Sequence, residues 1–135
     1  MSDTKQVIVV RKDLNMRKGK IAAQASHASM SFITRRLKGP FPGEGEFSDA
    51  HHEVTLSHVE QEWLASSYAK IVVSADTEQE LLDLISKAKS AGIEVHEVID
   101  SGRTEFNGVP TRTCAAFGPD RAARLDPITG GLKLL

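Results

Sequence analysis

Apolar and polar positions divide the chain into segments of two different periods. Gln6–Val10 reads QVIVV, a short β-branched run that is apolar on both faces. Such a run suits a central strand covered on both sides. After a connection, RKDLNM, the period changes. Ile21, Ala25, Ala28 and Phe32 recur at spacings of 4, 3 and 4, which predicts a helix from about Arg17 to Lys38 with one buried face. Small residues on that face let the helix sit close to a sheet, and Gly39-Pro40 is a stop signal.

Gly39–Ser57 is the one Gly/Pro-rich stretch and predicts a loop insertion at 39–57, long for a compact domain. A short helix is expected from Ser57 or His58 to about Ser66, with Val59 and Trp63 on one side. Ala69–Ala75, AKIVVSA, is a second buried-type strand. Thr77–Glu80, TEQE, matches a capping box and opens a helix carrying Leu81, Leu84, Ile85 and Ala88, which Gly92 ends. Ile93–Ile99 is a third strand, whose alternation breaks near Glu97 and suggests a bulge there. Ser101–Pro110 is a turn or hairpin loop, and Thr111–Phe117 a fourth strand. The last residues predict a short helix and a packed tail. The order β-α-α-β-α-β-β argues a single-domain α/β sandwich over residues 1–135, a four-stranded mixed β-sheet flanked by helices. Its last two strands are expected to be antiparallel.

Composition adds little to this until charge is mapped. The net charge of −1 hides a polarity: residues 1–38 hold nine Lys/Arg and two Asp/Glu, whereas residues 39–135 hold eight and sixteen. A chain polarised in this way can offer one face to a polyanion, or both halves can simply solvate their own surfaces. The single cysteine, Cys114, sits mid-strand among apolar neighbours and reads as a buried thiol. With no signal-peptide pattern and no apolar run of roughly 20 residues, the expectation is a cytoplasmic protein without a membrane partner.

The polar face of the first helix carries candidate chemistry. Lys20, Gln24, His27 and Ser31 fall within an arc of roughly 60°. They form either a solvated face or a stripe of ammonium, amide, imidazole and hydroxyl aimed at a ligand. The stripe begins beside Arg17 and Lys18, after the carboxyl end of the first strand, where ligands bind in α/β sheets. Asp100 ends the third strand ahead of a glycine turn, so it is either an Asx-turn former or an orienting carboxylate. His51, His52 and His58 lack partners at metal-ligand spacing, and no metal site is expected.

Together these pieces resemble the archaeal and eukaryotic, or type II, peptidyl-tRNA hydrolases. The matching segments are VVRKDLNMRKGKIAAQASHA (Val9–Ala28), KIVVSADTEQELLDLISKAKSAGI (Lys70–Ile93), VIDSGRTEF (Val98–Phe106), FGPD (Phe117–Asp120) and ITGGLKLL (Ile128–Leu135). The resemblance implies a four-stranded mixed sheet, a homodimer, and no metal or organic cofactor. It implies hydrolysis of the ester joining an N-blocked aminoacyl or peptidyl group to the 3′-terminal ribose of tRNA. It places active-site residues at Lys20, Gln24, Asp100 and Thr113, with Ser26, His27, Arg103 and Thr104 in the same motifs. Arg17, Lys18, Arg35 and Arg36, with His27 and Arg103, are expected to meet RNA. Gly131 stands where the family tail often carries histidine. The stretch before Thr113 is one residue longer than usual, so Thr111 is the alternative active-site threonine. A non-catalytic tRNA- or RNA-binding adaptor on the same scaffold is the alternative function.

Overall fold

The computed structural model describes residues 3–37, 41, 43, 45 and 47–135. Four strands, β1 (Thr4–Arg11), β2 (Lys70–Ala75), β3 (Val95–Asp100) and β4 (Thr111–Arg121), form one sheet in the order β2-β1-β4-β3. β1 and β2 are parallel, and β4 is antiparallel to both β1 and β3. The carboxyl ends of β1, β2 and β3 therefore share one edge of the sheet. The helices are α1 (Lys18–Thr34), α2 (His58–Ala65), α3 (Glu78–Ser90) and α4 (Ala122–Thr129). This is the expected mixed sheet, with β3 and β4 antiparallel as anticipated.

Each face of β1 is buried, which is why its sequence shows no alternation. Val7 and Val9 join Leu81, Leu84, Ile85, Phe117 and Leu125 in the core under α3 and α4. Ile8 and Val10 join Ala28, Cys114 and Ala116 in the core under α1. The second core is built largely from small side chains, so α1 lies close to the sheet. Gln6, also on this face, is fully buried without loss: its amide donates to the Ser29 carbonyl and accepts from the Ser29 hydroxyl.

The helix ends depart from the reading in instructive ways. α1 closes at Thr34, short of Lys38, which with Gly39 and Pro40 lies outside the described residues. Arg35 and Arg36 instead turn onto partners from β3 and α2. The capping box at α3 is half made: Thr77 accepts from the Glu80 N–H, but Glu80 reaches back to Asp76. The full box forms at α2, between Ser57 and Glu60. β4 runs four residues past Phe117, through a cis Gly118-Pro119 bond, because a register shift opposite Lys5–Val7 absorbs those residues within the ladder. The tail pairs with the β2 edge, Ser74 N–H donating to Lys133 and Leu135 N–H to Val72. Between α1 and α2 the described residues form no helix or strand.

Candidate active site

Three consequences of the chain path converge at the shared carboxyl edge. β1 delivers α1, β3 ends at Asp100, and the loop 101–110 carries the chain back into β4. Lys20, one turn into α1, places its ammonium 2.6 Å from Asp100 Oδ1 and 3.3 Å from the Thr104 hydroxyl. The other oxygen of Asp100 accepts from the Gly102 N–H at 2.9 Å. Asp100 is therefore both a turn former and half of an ion pair. The two side chains keep 16% and 13% of their surface, so the pair is screened but reachable. The Lys20 hydrogen bond holds the Asp100 carboxyl below its ordinary range; partial burial opposes this, and the Gly102 N–H and the nearby His27 assist. Asp100 is an anion at neutral pH.

The loop that carries Thr104 is fixed by backbone chemistry. Gly102 has φ +83°, and a Cβ there would lie 2.6 Å from the Val109 backbone nitrogen. The Gly102 carbonyl accepts from Gly108 N–H, closing the loop, and Phe106 packs into the core under α1.

Beneath the ion pair lies a neutral couple. Gln24, one turn after Lys20, donates its amide to Thr113 Oγ1 at 2.9 Å, and the Thr113 hydroxyl faces the Val98 carbonyl at 3.3 Å. Both side chains are buried, Thr113 completely. The reason is a bulge. Val98 pairs with Cys114 and Ile99 with Arg112, which leaves Thr113 as the extra residue on β4. Thr113 and Cys114 consequently both face α1: Thr113 meets the Gln24 amide, and Cys114 Sγ lies 3.4 Å from the Gln24 carbonyl. Burial pushes the Cys114 thiol up to about 11, so it is the inert core thiol expected. The bulge lies in the strand pair where alternation broke, but on β4 rather than at Glu97. Thr111, the alternative threonine, pairs across from Asp100 yet turns its hydroxyl onto Val109.

The buried face of α1 is not the one read from periodicity. Gln24, Ala28, Ser31 and Phe32 are buried, while Ile21 and Ala25 are only half-buried. The inward face is rotated by roughly 45° toward the polar stripe. The helix leans on β4 and β3, so half of the presumed solvent face becomes the floor of the site.

The expected RNA contacts fall into two groups. Arg17, Lys18, His27 and Arg103 are exposed around the Lys20–Asp100 pair. Arg17 is the N-cap of α1 and supplies no capping side chain, so the first N–H groups of the helix lie beside these cations. Arg35 and Arg36 sit at the opposite end of α1 and have internal partners. Arg35 bonds His96 Nδ1 and the Glu97 carbonyl, and Arg36 bonds Glu60 at 2.7 Å and Glu94 at 2.8 Å. Among the described residues no group of three or more His, Cys, Asp or Glu converges on a metal-sized site. No described helix is long and apolar enough to cross a membrane.

Sequence reasoning named Lys20, Gln24, Asp100 and Thr113, and the structure brings all four together. The Gly102 N–H on Asp100 is the Asx turn that the sequence allowed; what the reading missed is the Val98 carbonyl on Thr113 and the place of the bulge on β4. Only the broken alternation of IEVHEVI hinted at the last.

Comparison with known proteins agrees with this constellation. The profile of the family described as Peptidyl-tRNA hydrolase PTH2 matches residues 4–135. A protein named peptidyl-tRNA hydrolase from Methanothermobacter thermautotrophicus is 39% identical over 131 residues, covering 97% of this chain and 99% of its own. One of the same name from Methanocaldococcus jannaschii is 36% identical over 132 residues, covering 97% and 99%. The mitochondrial peptidyl-tRNA hydrolase 2 of Bos taurus is 36% identical over 132 residues, 96% of this chain and 63% of that protein. A solved structure of a protein of unknown function from Agrobacterium tumefaciens shares the fold alone, with a TM-score of 0.57 at 18% identity, covering 100% of this chain and 99% of that one. Carried by a match that spans nearly every residue and by relatives of equal length, the chain belongs to the PTH2 family of peptidyl-tRNA hydrolases.

Proposed function

We propose that this protein hydrolyses the ester between a peptidyl or N-blocked aminoacyl group and the 3′-terminal ribose of tRNA, with Lys20, Gln24 and Asp100 at the reacting atoms. The observation that carries this reading is the Lys20–Asp100 contact of 2.6 Å, set directly over Gln24 and Thr113 at the carboxyl edge of the sheet.

Ester hydrolysis needs a positioned water and a donor for the oxyanion. The Lys20 ammonium is the oxyanion donor, and one preorganised donor contributes on the order of 10²–10³ in rate. Asp100, anionic and holding spare lone pairs on both oxygens, accepts from the attacking water. Gln24 spends its N–H on Thr113, which leaves its carbonyl oxygen to orient that water. Thr113 has no exposed surface and acts through Gln24, as a positioning residue. The water oxygen bonds to the acyl carbon and the bond from that carbon to the ribose oxygen breaks. The proton leaves the water by way of Asp100 and ends on the ribose hydroxyl.

Arg17, Lys18 and Arg103 ring this centre and meet the phosphates of the tRNA terminus. The uncapped first turn of α1 adds N–H donors beside them, which is the arrangement that anions favour. Cations crowded at a helix start are unfavourable without such an anion. Arg36 is left a bracing role, since both its carboxylate partners are internal. The protein works in the cytoplasm as a homodimer in this reading.

The test is deacylation of N-acetyl-aminoacyl-tRNA by the purified protein with EDTA present. Metal-independent cleavage is expected. Binding of the tRNA without cleavage would instead make the protein an adaptor.

A further inference from the structure

The sheet face turned away from Gln24 carries an ion network that no step of the proposed chemistry uses. Val7 and Val9 point into the core under α3 and α4, and Arg11, next in that alternation, lies on the same face. Its guanidinium serves three elements. Nε and Nη2 donate to Asp13 at 3.1 and 2.6 Å. Nη1 donates to the Arg112 carbonyl at 3.1 Å and approaches Glu78, at the start of α3, at 3.4 Å. Arg112 in turn donates from Nε to Glu97 at 2.5 Å and from Nη1 to the same Glu78 oxygen at 3.4 Å. The Arg11 side chain keeps only 11% of its surface, so it is a poor contact for a ligand. A planar fork holds a carboxylate and a carbonyl at once, which the single point charge of an ammonium does not.

Two of these partners belong to the framework of the site. Val10 is the last β1 residue that pairs with β4, opposite Cys114. Beyond it the ladder stops, and the Arg112 carbonyl takes the Arg11 guanidinium where a strand N–H would otherwise serve. Arg112 directly precedes Thr113, the extra residue of the bulge, so this bond fixes the peptide plane that turns Thr113 onto Gln24. Asp13 lies in the turn Lys12–Leu14 between β1 and α1, so the same guanidinium also sets the take-off of the helix that carries Gln24. We infer that Arg11 is a positioning residue for ester hydrolysis: by tying Asp13 to the Arg112 carbonyl it keeps Gln24 in register with Thr113 on the other face of the sheet. The inference rests on the peptidyl-tRNA reading and adds to it a residue that acts on the reaction without touching the substrate.

The experiment compares wild type, Arg11→Lys and Arg11→Gln in cleavage of N-acetyl-aminoacyl-tRNA, and follows the Gln24 side-chain amide by NMR. Arg11→Lys keeps the charge and loses the fork. Both variants should lower kcat on the order of 10–100-fold, the effect of a misplacement of about 1 Å, with KM and the salt dependence of tRNA binding unchanged. Added to Thr113→Val, Arg11→Lys should lower kcat far less than it does alone, because the two changes act through the same amide. The Gln24 amide signals should move in Arg11→Lys and stay in place in Arg36→Ala, which opens the ion network at the other end of α1. A kcat near that of wild type in both Arg11 variants would overturn the inference. A raised KM with a flattened salt slope would do so too, by making Arg11 a phosphate contact, and so would losses that multiply in full in the double variant. If both Arg11 variants fail to fold, Asp13→Asn frees the guanidinium from the turn while leaving its charge, and it should shift the same Gln24 signals; unmoved signals would overturn the inference. An N-acetyl ester left intact by wild type would instead sink the proposed activity, and the Gln24 signals would still report whether Arg11 sets that amide.

Discussion

The two ends of α1 are both held by ion pairs, and they are built for different work. At the start, Lys20 meets Asp100 across a rim that solvent reaches, above a buried amide–hydroxyl couple and beside exposed Arg17, Lys18 and Arg103. At the finish, Arg36 lies between Glu60 and Glu94, Glu94 bonds His96, and His96 bonds Arg35. Glu60 there is 1% exposed, and its Oε1 accepts from both Arg36 and the Ser57 N–H. Burial would raise its pKa, but hydrogen bonds from Arg36 and the Ser57 N–H, with the Arg36 charge, outweigh it and hold the carboxyl at about 2. The two clusters are separated by the helix, about 21 Å from Lys20 to Thr34. A pair with one open side can exchange its partner for a substrate. A cation already held by two carboxylates from other parts of the chain is committed to joining α1, α2 and the start of β3.

Breaking each pair should therefore give opposite signatures. The largest effect is expected for Lys20→Ala. It should lower single-turnover cleavage by on the order of 10²–10³, while the thermal midpoint of unfolding moves little, since the pair is at the rim. Near-normal cleavage by this variant would remove Lys20 from the chemistry. Asp100→Asn should behave alike.

Glu60→Gln should do the reverse. Replacing the buried carboxylate by an amide weakens its charge-assisted bonds from Arg36 and Ser57 and should cost about 1–3 kcal/mol of stability, read from urea unfolding, while turnover per folded molecule stays normal. The sign with pH follows from the depressed carboxyl. Its stabilisation is complete above the ordinary glutamate value of 4.5 and is lost as pH falls from there toward 2. Wild type should thus lose this increment on acidification, and Glu60→Gln should lack it. Equal acid sensitivity in the two proteins would count against the brace.

A third substitution lies between the extremes. Thr113→Val keeps the shape of the bulge but removes the acceptor of Gln24, leaving a buried amide short of a partner. It should cost about 1–3 kcal/mol of stability and lower kcat more than it raises KM, because Gln24 is no longer aimed. An effect on stability alone would make Thr113 merely structural. The smallest effect is expected for Lys18→Ala. One fewer phosphate contact should flatten the log–log salt dependence of tRNA binding by roughly 0.7–0.9. Arg36→Ala, at the braced end, should leave that slope unchanged and cost stability instead. A flattened slope in Arg36→Ala would return that residue to the RNA surface.

The same contrast explains what could be read in advance. Lys20 and Asp100 are eighty positions apart, yet each carries a local sign. Lys20 stands in a cation cluster at a helix start, and Asp100 stands at a strand end before glycine. Their residue types and positions by themselves point to an edge where ligands bind. Arg35 and Arg36 carry an equally clear sign, charge beside a Gly/Pro-rich segment, and it pointed toward RNA. Nothing local reveals that Glu60 and Glu94 arrive from other elements to take up Arg36.

The sequence by itself determined the order of elements, the two-sided burial of β1 and the antiparallel close of β3 on β4, and its motifs pointed to Lys20, Gln24 and Asp100 while leaving Thr113 and Thr111 as alternatives. Those follow from period, turn chemistry and motif, which are local properties of the chain. Only the tertiary structure decided which face of α1 is buried, where the bulge falls, and which cations remain open to a ligand. Each of these depends on how α1 leans across β4 and β3. That lean is set by the small side chains Ala28, Cys114 and Ala116 packing together from distant parts of the chain, and no periodicity within one segment encodes it.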